Sequence, residues 1–192
     1  MIKTLYPTFQ RWSEKGSVYI FSDPHFADDD CHYMNPDWID PEEQIKIINS
    51  MVTKNDYLIL LGDIGHEEWL GKIKTKHIVL VTGNHDKGNA TYEPYCEEIY
   101  NGPLFIADRI LLSHEPISGL ENFCTNIHGH RHASEYGVFG VYGHINLAAD
   151  VCGYEPYSLK DLITRHKILA DVENYHRLTI DTATENSLKE KA

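Results

Sequence analysis

The chain has 192 residues, of which 42% are hydrophobic and 24% are charged, a globular composition that excludes wholesale disorder. No apolar run approaches the roughly 20 residues of a membrane-spanning helix, and no signal-peptide core follows Met1. The formal net charge of −12, with no basic stripe, argues against a protein that binds extended nucleic acid through its phosphates. We therefore expect a cytoplasmic protein whose four dispersed cysteines are reduced thiols.

Short apolar runs that end in polar turns predict three strands in the first half of the chain, at residues 18–23, 56–61 and 77–82. Between them, a proline and two glutamates mark the start of a helix at residues 41–52, whose isoleucines follow helical spacing. A shorter helix is predicted at residues 66–72. This alternation of strand and helix is typical of an α/β domain.

Strands dominate the second half of the chain. The predicted elements there are a helix at 92–98, a hairpin of strands at 104–106 and 109–113, a strand before Gly129, a strand near 145–149, and a last helix at 158–172 with Ser158 as its N-cap and Leu169 on its buried face. Without any linker or repeat, the sequence predicts one domain over residues 1–181 and a polar tail at 182–192.

Several predicted strands run directly into a cluster of Gly, Asp, Asn or His. The clusters are Asp23-Pro24-His25, Gly62-Asp63, Gly83-Asn84-His85-Asp86, Ser113-His114 and Gly129-His130-Arg131-His132. Because the carboxyl ends of strands gather ligands in open α/β sheets, these clusters can converge in space. Taken singly, the aspartates could be turn or helix caps and the histidines loop residues. As an ordered set they indicate a metal site.

The donor atoms of these clusters are oxygens and imidazole nitrogens without thiolates, which suits Mn, Fe, Zn or Ni better than a closed structural zinc site. Seven donors are too many for one tetrahedral ion but suit two ions that share a carboxylate. Glycine before Asp63, Asn84 and His130 allows the backbone to approach such a centre closely.

The five blocks D-x-H, G-D, G-N-H-D, a lone histidine and G-H-x-H, in this order over residues 23–132, resemble the calcineurin-like metallophosphoesterases. The segment at 146–159 also resembles small bacterial and phage members of that family. The resemblance implies a four-layer α/β/β/α sandwich, in which two mixed β-sheets are flanked by helices.

The same resemblance implies two divalent metal ions, with Mn the first choice and Fe, Ni or Zn as alternatives. The first ion would be held by Asp23, His25, Asp63 and His132, and the second by Asp63, Asn84, His114 and His130. Asp63 would bridge the two ions, and a metal-bridged hydroxide would attack phosphorus. His85 would donate the proton to the leaving group, with Asp86 orienting its imidazole.

The expected substrate is a small phosphorylated molecule, with nucleotides among the candidates and a phosphodiester favoured over a phosphomonoester because both D-x-H and G-H-x-H are intact. Candidate substrate contacts are Arg131, Asn84 and His32. On an extended segment, however, Arg131 would point away from its neighbours, and the acidic stretch at 28–30 indicates a solvated loop around His32.

Some features of the sequence remain open between a functional and a structural interpretation. The aromatic residues Tyr136, Phe139 and Tyr142 are expected to pack, with a stacking wall for a base as the alternative. Histidines outside the blocks, such as His128 and His144, are expected to be structural. The rival functions are a catalytically inactive interaction module and a metal-binding protein on the same fold.

Overall fold

The computed structural model describes residues 16–107 and 109–168. A largely parallel five-stranded sheet takes four strands from the first part of the chain and one from much later. Its strands are β1 (Val18–Phe21), β2 (Tyr57–Leu60), β3 (His77–Val81), β4 (Glu98–Tyr100) and β9 (Tyr157–Ser158), in the order β4-β3-β2-β1-β9. Strands β1 to β4 pair in parallel, and β9 pairs antiparallel to β1. The central strands are apolar throughout because both faces of this sheet are covered.

The second half forms a four-stranded sheet of order β5-β6-β7-β8. Its strands are β5 (Leu104–Ala107), β6 (Ile110–Leu112), β7 (Thr125–His128) and β8 (His144–Asn146). Strands β5 and β6 form the predicted hairpin, while β6, β7 and β8 run parallel. A bridge between Ser22 and Ala148 links the two sheets, and their buried apolar side chains form one continuous cluster.

Within residues 16–107 and 109–168, three short α-helices lie entirely in the described chain and accompany the sheets: α1 (Asp30–Met34), α2 (Pro41–Met51) and α3 (Leu159–Thr164). Proline at the first turn starts α2, and Ile45 and Ile48 bury its apolar face. The predicted N-cap of α3 is confirmed, since the Ser158 hydroxyl accepts a hydrogen bond from the Asp161 amide at 3.4 Å. Residues Glu67–Lys72 and Asn89–Thr91 form 3₁₀ helices. The chain is thus an α/β protein with two mixed sheets and few helices.

Three sequence-based expectations differ from the structure. The helix predicted at 92–98 is wrong: this segment makes turns and then enters β4, because Tyr92 is drawn into the core and β4 pairs with β3. The acidic stretch at 28–30 is not wholly a solvated loop, since Asp30 begins α1, which buries Cys31. The two-residue strand β9 was not predicted.

The last predicted helix is shorter than expected, because α3 ends at Thr164. Leu169 and the tail at 182–192 lie outside the described residues, so the division into one domain and a tail stays a prediction. None of the helices in the described part of the chain has the length and apolar character that crossing a bilayer requires.

Candidate metal centre

All seven predicted metal ligands lie just beyond the carboxyl ends of parallel strands. Asp23 and His25 follow β1, Asp63 follows β2, Asn84 follows β3, His114 follows β6, and His130 and His132 follow β7. Neighbouring parallel strands end at the same edge of a sheet, and the Ser22–Ala148 bridge brings the two sheet edges together. The structure therefore gathers in one place residues that are more than one hundred positions apart in the chain.

One group of donor atoms surrounds His114. Its Nδ1–H donates to the Leu61 carbonyl at 2.8 Å, which directs Nε2 toward the other ligands. This Nε2 lies 2.9 Å from Asn84 Oδ1, 3.1 Å from His130 Nδ1 and 3.3 Å from Asp63 Oδ2. Such a convergence of acceptor atoms suits a divalent cation. We call Asp63, Asn84, His114 and His130 the second ligand group.

The first ligand group consists of Asp23, His25 and His132, whose donor atoms lie within 4.8 Å of one another. His132 Nε2 is 3.6 Å from Asp23 Oδ1. Both histidines turn Nε2 inward, because each Nδ1–H donates to a carboxylate: His25 to Asp28 at 3.2 Å and His132 to Asp150 at 2.9 Å. Hydrogen bonds of this kind fix the tautomer of a metal-ligating histidine.

Asp63 belongs to the second ligand group but also faces the first. Its Oδ2 is 3.3 Å from His114 Nε2 in the second group and 3.8 Å from His25 Nε2 in the first. The backbone amide of His85 donates to the other oxygen, Oδ1, at 2.9 Å. One carboxylate oxygen therefore faces both ligand groups, which is the placement that a bridging ligand needs.

The electrostatics of the centre also fit bound cations. Asp23 and Asp63 are almost fully buried, and carboxylates at such positions need compensating positive charge. Burial raises the pKa of Asp23. For His114, burial opposes the charged form, but the hydrogen bond to Asp63 and the charges of Asp23 and Asp63 outweigh it and raise the pKa to about 9. Without a metal, His114 Nε2 therefore carries a second proton at neutral pH. A cation competes with this proton for the same nitrogen.

Four of the ligands have left-handed backbone conformations: Asp23, His25, Asp63 and His130 have φ values of 54°, 41°, 51° and 67°. Such conformations are uncommon outside glycine and cost on the order of 1–3 kcal/mol each. Left-handed turns directly after strands aim these side chains at one point. This concentration of strain in one place is typical of a functional site.

Positions 83 and 129 require glycine because the backbone there passes very close to the side chains of the candidate centre. A Cβ at Gly83 would overlap Asp63 Oδ1, and a Cβ at Gly129 would overlap the Ser22 side chain and the Asp23 carboxylate. The prediction that glycines before the ligands permit tight packing around the centre is confirmed at these two positions.

We expect Gly129→Ala to weaken metal binding by more than about tenfold, because the new methyl group must displace the Asp23 carboxylate. The measurement is a Mn²⁺ titration followed by calorimetry. Gly88→Ala is the matched control, since nothing lies within 4 Å of a Cβ there. Equal affinities in the two variants would contradict the close-packing argument.

Asp86 has a different environment from the one expected. Its carboxylate accepts hydrogen bonds from the backbone amides of Gly83, Asp63 and Ile64, at 2.7, 3.0 and 2.9 Å, and from the Tyr92 hydroxyl at 3.0 Å. Its contacts among the described residues thus go to the loops that carry Asp63 and Asn84, and not to the His85 imidazole. Asp86 therefore holds the loops that carry Asp63 and Asn84 in place relative to each other.

The remaining candidates lie at the edge of the centre. His85 is exposed, with its ring centroid 6.0 Å from that of His25. Arg131 is exposed and lines an open cleft of about 790 Å³, together with His130, His132 and Tyr136. We call this the metal cleft. His32 is exposed on α1, and no hydrogen bond or ion pair of the described residues joins it to the seven ligands.

Asp150 and Asp28 were not singled out from the sequence. Each carboxylate accepts from the Nδ1–H of a ligand histidine, and Asp150 also accepts from the Ala133 amide at 2.6 Å. Asp28 could be suspected from its place three residues after His25. Asp150 lies outside the five blocks, in the segment at 146–159, and its contact with His132 depends on how β8 packs beside β7.

We expect Asp150→Asn to lower the affinity of the first ligand group for Mn²⁺ by about 10- to 100-fold, the usual effect of removing the hydrogen-bond partner of a ligand histidine. The amide keeps the size of the side chain but removes the charge that favours the ligating tautomer of His132. Metal titration against the exposed Asp37→Asn variant measures the effect. An unchanged affinity would mean that Asp150 does not position His132.

Comparison with known proteins gives two kinds of likeness. A sequence profile of the calcineurin-like phosphoesterases matches residues 16–183. The structure of the protein of unknown function AQ665 from Aquifex aeolicus is similar, with 25% identity, a TM-score of 0.63, and coverage of 76% of this chain and 97% of that one. A novel archaeal phosphodiesterase has 20% identity and a TM-score of 0.44, over 72% of this chain and 86% of its own. No curated protein matches in sequence.

Proposed function

Because the chain belongs to the calcineurin-like phosphoesterase family, we propose that it hydrolyses phosphate esters with the help of two divalent metal ions. The observation that supports this most strongly is the position of Asp63 Oδ2, within 3.3 Å of His114 Nε2 and 3.8 Å of His25 Nε2. One shared carboxylate between two groups of oxygen and nitrogen donors suits a pair of ions.

Asp23, His25, Asp63 and His132 would hold the first ion, and Asp63, Asn84, His114 and His130 the second. Bound there, such ions would lower the pKa of a water molecule and neutralise the charge of the phosphoryl oxygens. With donors of this type we take Mn²⁺ as the first choice, and Fe, Ni or Zn as alternatives.

The side chains at the edge of the centre bind the substrate or donate a proton to it. Asn84 directs Oδ1 to His114, which leaves its amide N–H groups to donate to a phosphate oxygen. Arg131 lines the metal cleft and binds a second phosphate oxygen. His85 is exposed at the opening and donates a proton to the leaving oxygen.

The preferred substrate in this proposal is a small phosphodiester. Both motifs that hold the first ligand group are complete, and the metal cleft of about 790 Å³ is open enough for an ester with groups on both sides of phosphorus. The four-layer arrangement of sheets and helices and the cytoplasmic location stay predictions from the sequence.

A parallel screen of mono- and diesters with Mn²⁺, Ni²⁺, Zn²⁺ and Mg²⁺ tests the proposal. We expect hydrolysis that EDTA abolishes and Mn²⁺ restores, with higher kcat/KM for diesters. Two bound ions without hydrolysis of any ester would favour an inactive interaction module. A single ion without hydrolysis would favour a metal-binding protein.

A further inference from the structure

A second cavity, of about 180 Å³, lies beside the metal cleft, and we call it the side pocket. Its walls come from β7, β8 and the loops before and between them, and they include Ser118, Glu121, His128, Val138, Val141 and His144. Its volume corresponds to about six water molecules at ~30 Å³ each, which is the size of a ring system.

The side pocket adjoins the metal cleft. Pro116, Arg131, Ser134 and Tyr136 line both cavities. Arg131 is held at this junction through its backbone, whose carbonyl accepts from Asn146 Nδ2 at 2.7 Å. A molecule whose phosphate lies in the metal cleft, which His130 and His132 line, therefore has the side pocket next to it.

The rim and walls of the side pocket suit a flat ring. Tyr136 is 57% exposed, so one face of its ring is available, whereas Phe139 stacks on His166 with ring centroids 4.2 Å apart. Val138 and Val141 provide apolar surface. Of these two aromatic residues, Phe139 packs on His166, and Tyr136 has exposed ring surface beside the side pocket.

Polar groups of the side pocket come from Glu121 and His144. Glu121 Oε1 accepts from the Gly119 amide at 3.0 Å and from His144 Nε2 at 3.2 Å. The His144 side chain is only 9% exposed, yet its buried Nδ1 has no hydrogen-bond partner in the described part of the chain. The Glu121 side chain is 30% exposed, so its carboxylate is the polar group of this pair that a ligand can reach, and it accepts hydrogen bonds.

We propose that the side pocket binds the base of a nucleotide substrate while its phosphate occupies the metal cleft. This inference rests on the proposed phosphoesterase function for the position of the phosphate. Stacking on Tyr136 gives affinity for any base. The Glu121 carboxylate accepts only, so it favours a base that carries an amino group over one that carries a carbonyl oxygen at the same place.

Cytidine and uridine 5′-monophosphates form a matched pair for the test, because the bases differ by an amino group against a carbonyl oxygen. Kd values are measured by calorimetry for both nucleotides and for phenyl phosphate, with Mn²⁺-loaded and with EDTA-treated protein. We expect cytidine monophosphate to bind about tenfold more tightly than the other two. Equal Kd values for all three ligands would overturn the inference.

Substitutions at two positions separate the contributions of stacking and hydrogen bonding. Tyr136→Ala should weaken binding of both nucleotides by about tenfold, and Tyr136→Phe should keep it, since the ring provides the stacking. Glu121→Gln should remove the preference for cytidine over uridine. Tyr33→Ala, an exposed tyrosine on α1 that lines neither cavity, is the control and should change nothing.

The inference and the proposed function fail in different ways. The nucleotide preference and its loss in Glu121→Gln are read from binding and need no turnover. Ester hydrolysis with equal Kd values would leave the proposed function intact and remove the side pocket as a base site. A cytidine preference with no hydrolysis of any ester would support the base site and contradict the phosphoesterase function.

Discussion

Asp63→Asn is expected to abolish ester hydrolysis and to leave at most about one divalent ion per chain. The carboxylate oxygen that faces both ligand groups is replaced by an amide with no negative charge, so two nearby cations lose the anion between them. Asparagine has nearly the same size and tolerates the left-handed backbone at this position, where φ is 51°. The substitution therefore tests the charge of Asp63 with little change in the fold.

The measurements for Asp63→Asn are the hydrolysis rate of a nitrophenyl diester and the metal content of the purified protein. Asp37→Asn, at an exposed position, is the control for a lost carboxylate and should match the unmodified chain. Hydrolysis at the original rate in Asp63→Asn would exclude a bridging role for this residue.

His85→Gln is expected to lower kcat by roughly 10²- to 10⁴-fold and to retain both ions, because a general acid contributes about this much and His85 is not in either ligand group. The backbone amide of His85 still donates to Asp63 Oδ1 in the variant, so the bridging carboxylate keeps its orientation. His77→Gln is a suitable control, since His77 begins β3 at the opposite end of that strand from the ligands.

The dependence of the rate on the leaving group separates proton donation from other roles of His85. An ester with a good leaving group, such as nitrophenolate, needs little protonation and should lose less rate in His85→Gln than an alkyl ester does. If the loss is the same for both esters, His85 acts by binding the substrate and not by donating a proton.

The convergence of the seven predicted ligands could be expected because each follows a strand that its own neighbours specify. Apolar runs end just before Asp23, Asp63 and Asn84, and the glycines that precede Asp63 and Asn84 mark sharp turns that the structure contains. Parallel pairing then places these strand ends at one edge without further information. Short local patterns were therefore sufficient to predict that these residues lie together.

Interactions between distant segments could not be read from the sequence. Asp86 follows His85 directly, so the adjacent imidazole was the natural partner to expect, yet three backbone amides and Tyr92 bind its carboxylate. That arrangement also explains why residues 92–98 do not form a helix. Tyr92 turns inward to Asp86, and the segment ends where β4 begins to pair with β3. Tertiary contacts here override the local helical pattern.

The metal content of the purified chain, loaded with Mn²⁺ and freed of excess metal, tests the central claim most directly. Elemental analysis should give about two ions per chain, and at most about one in Asp63→Asn, because this single carboxylate joins the two ligand groups. One ion or none in the unmodified chain, or two ions in the Asp63→Asn variant, would contradict a dinuclear centre bridged by Asp63.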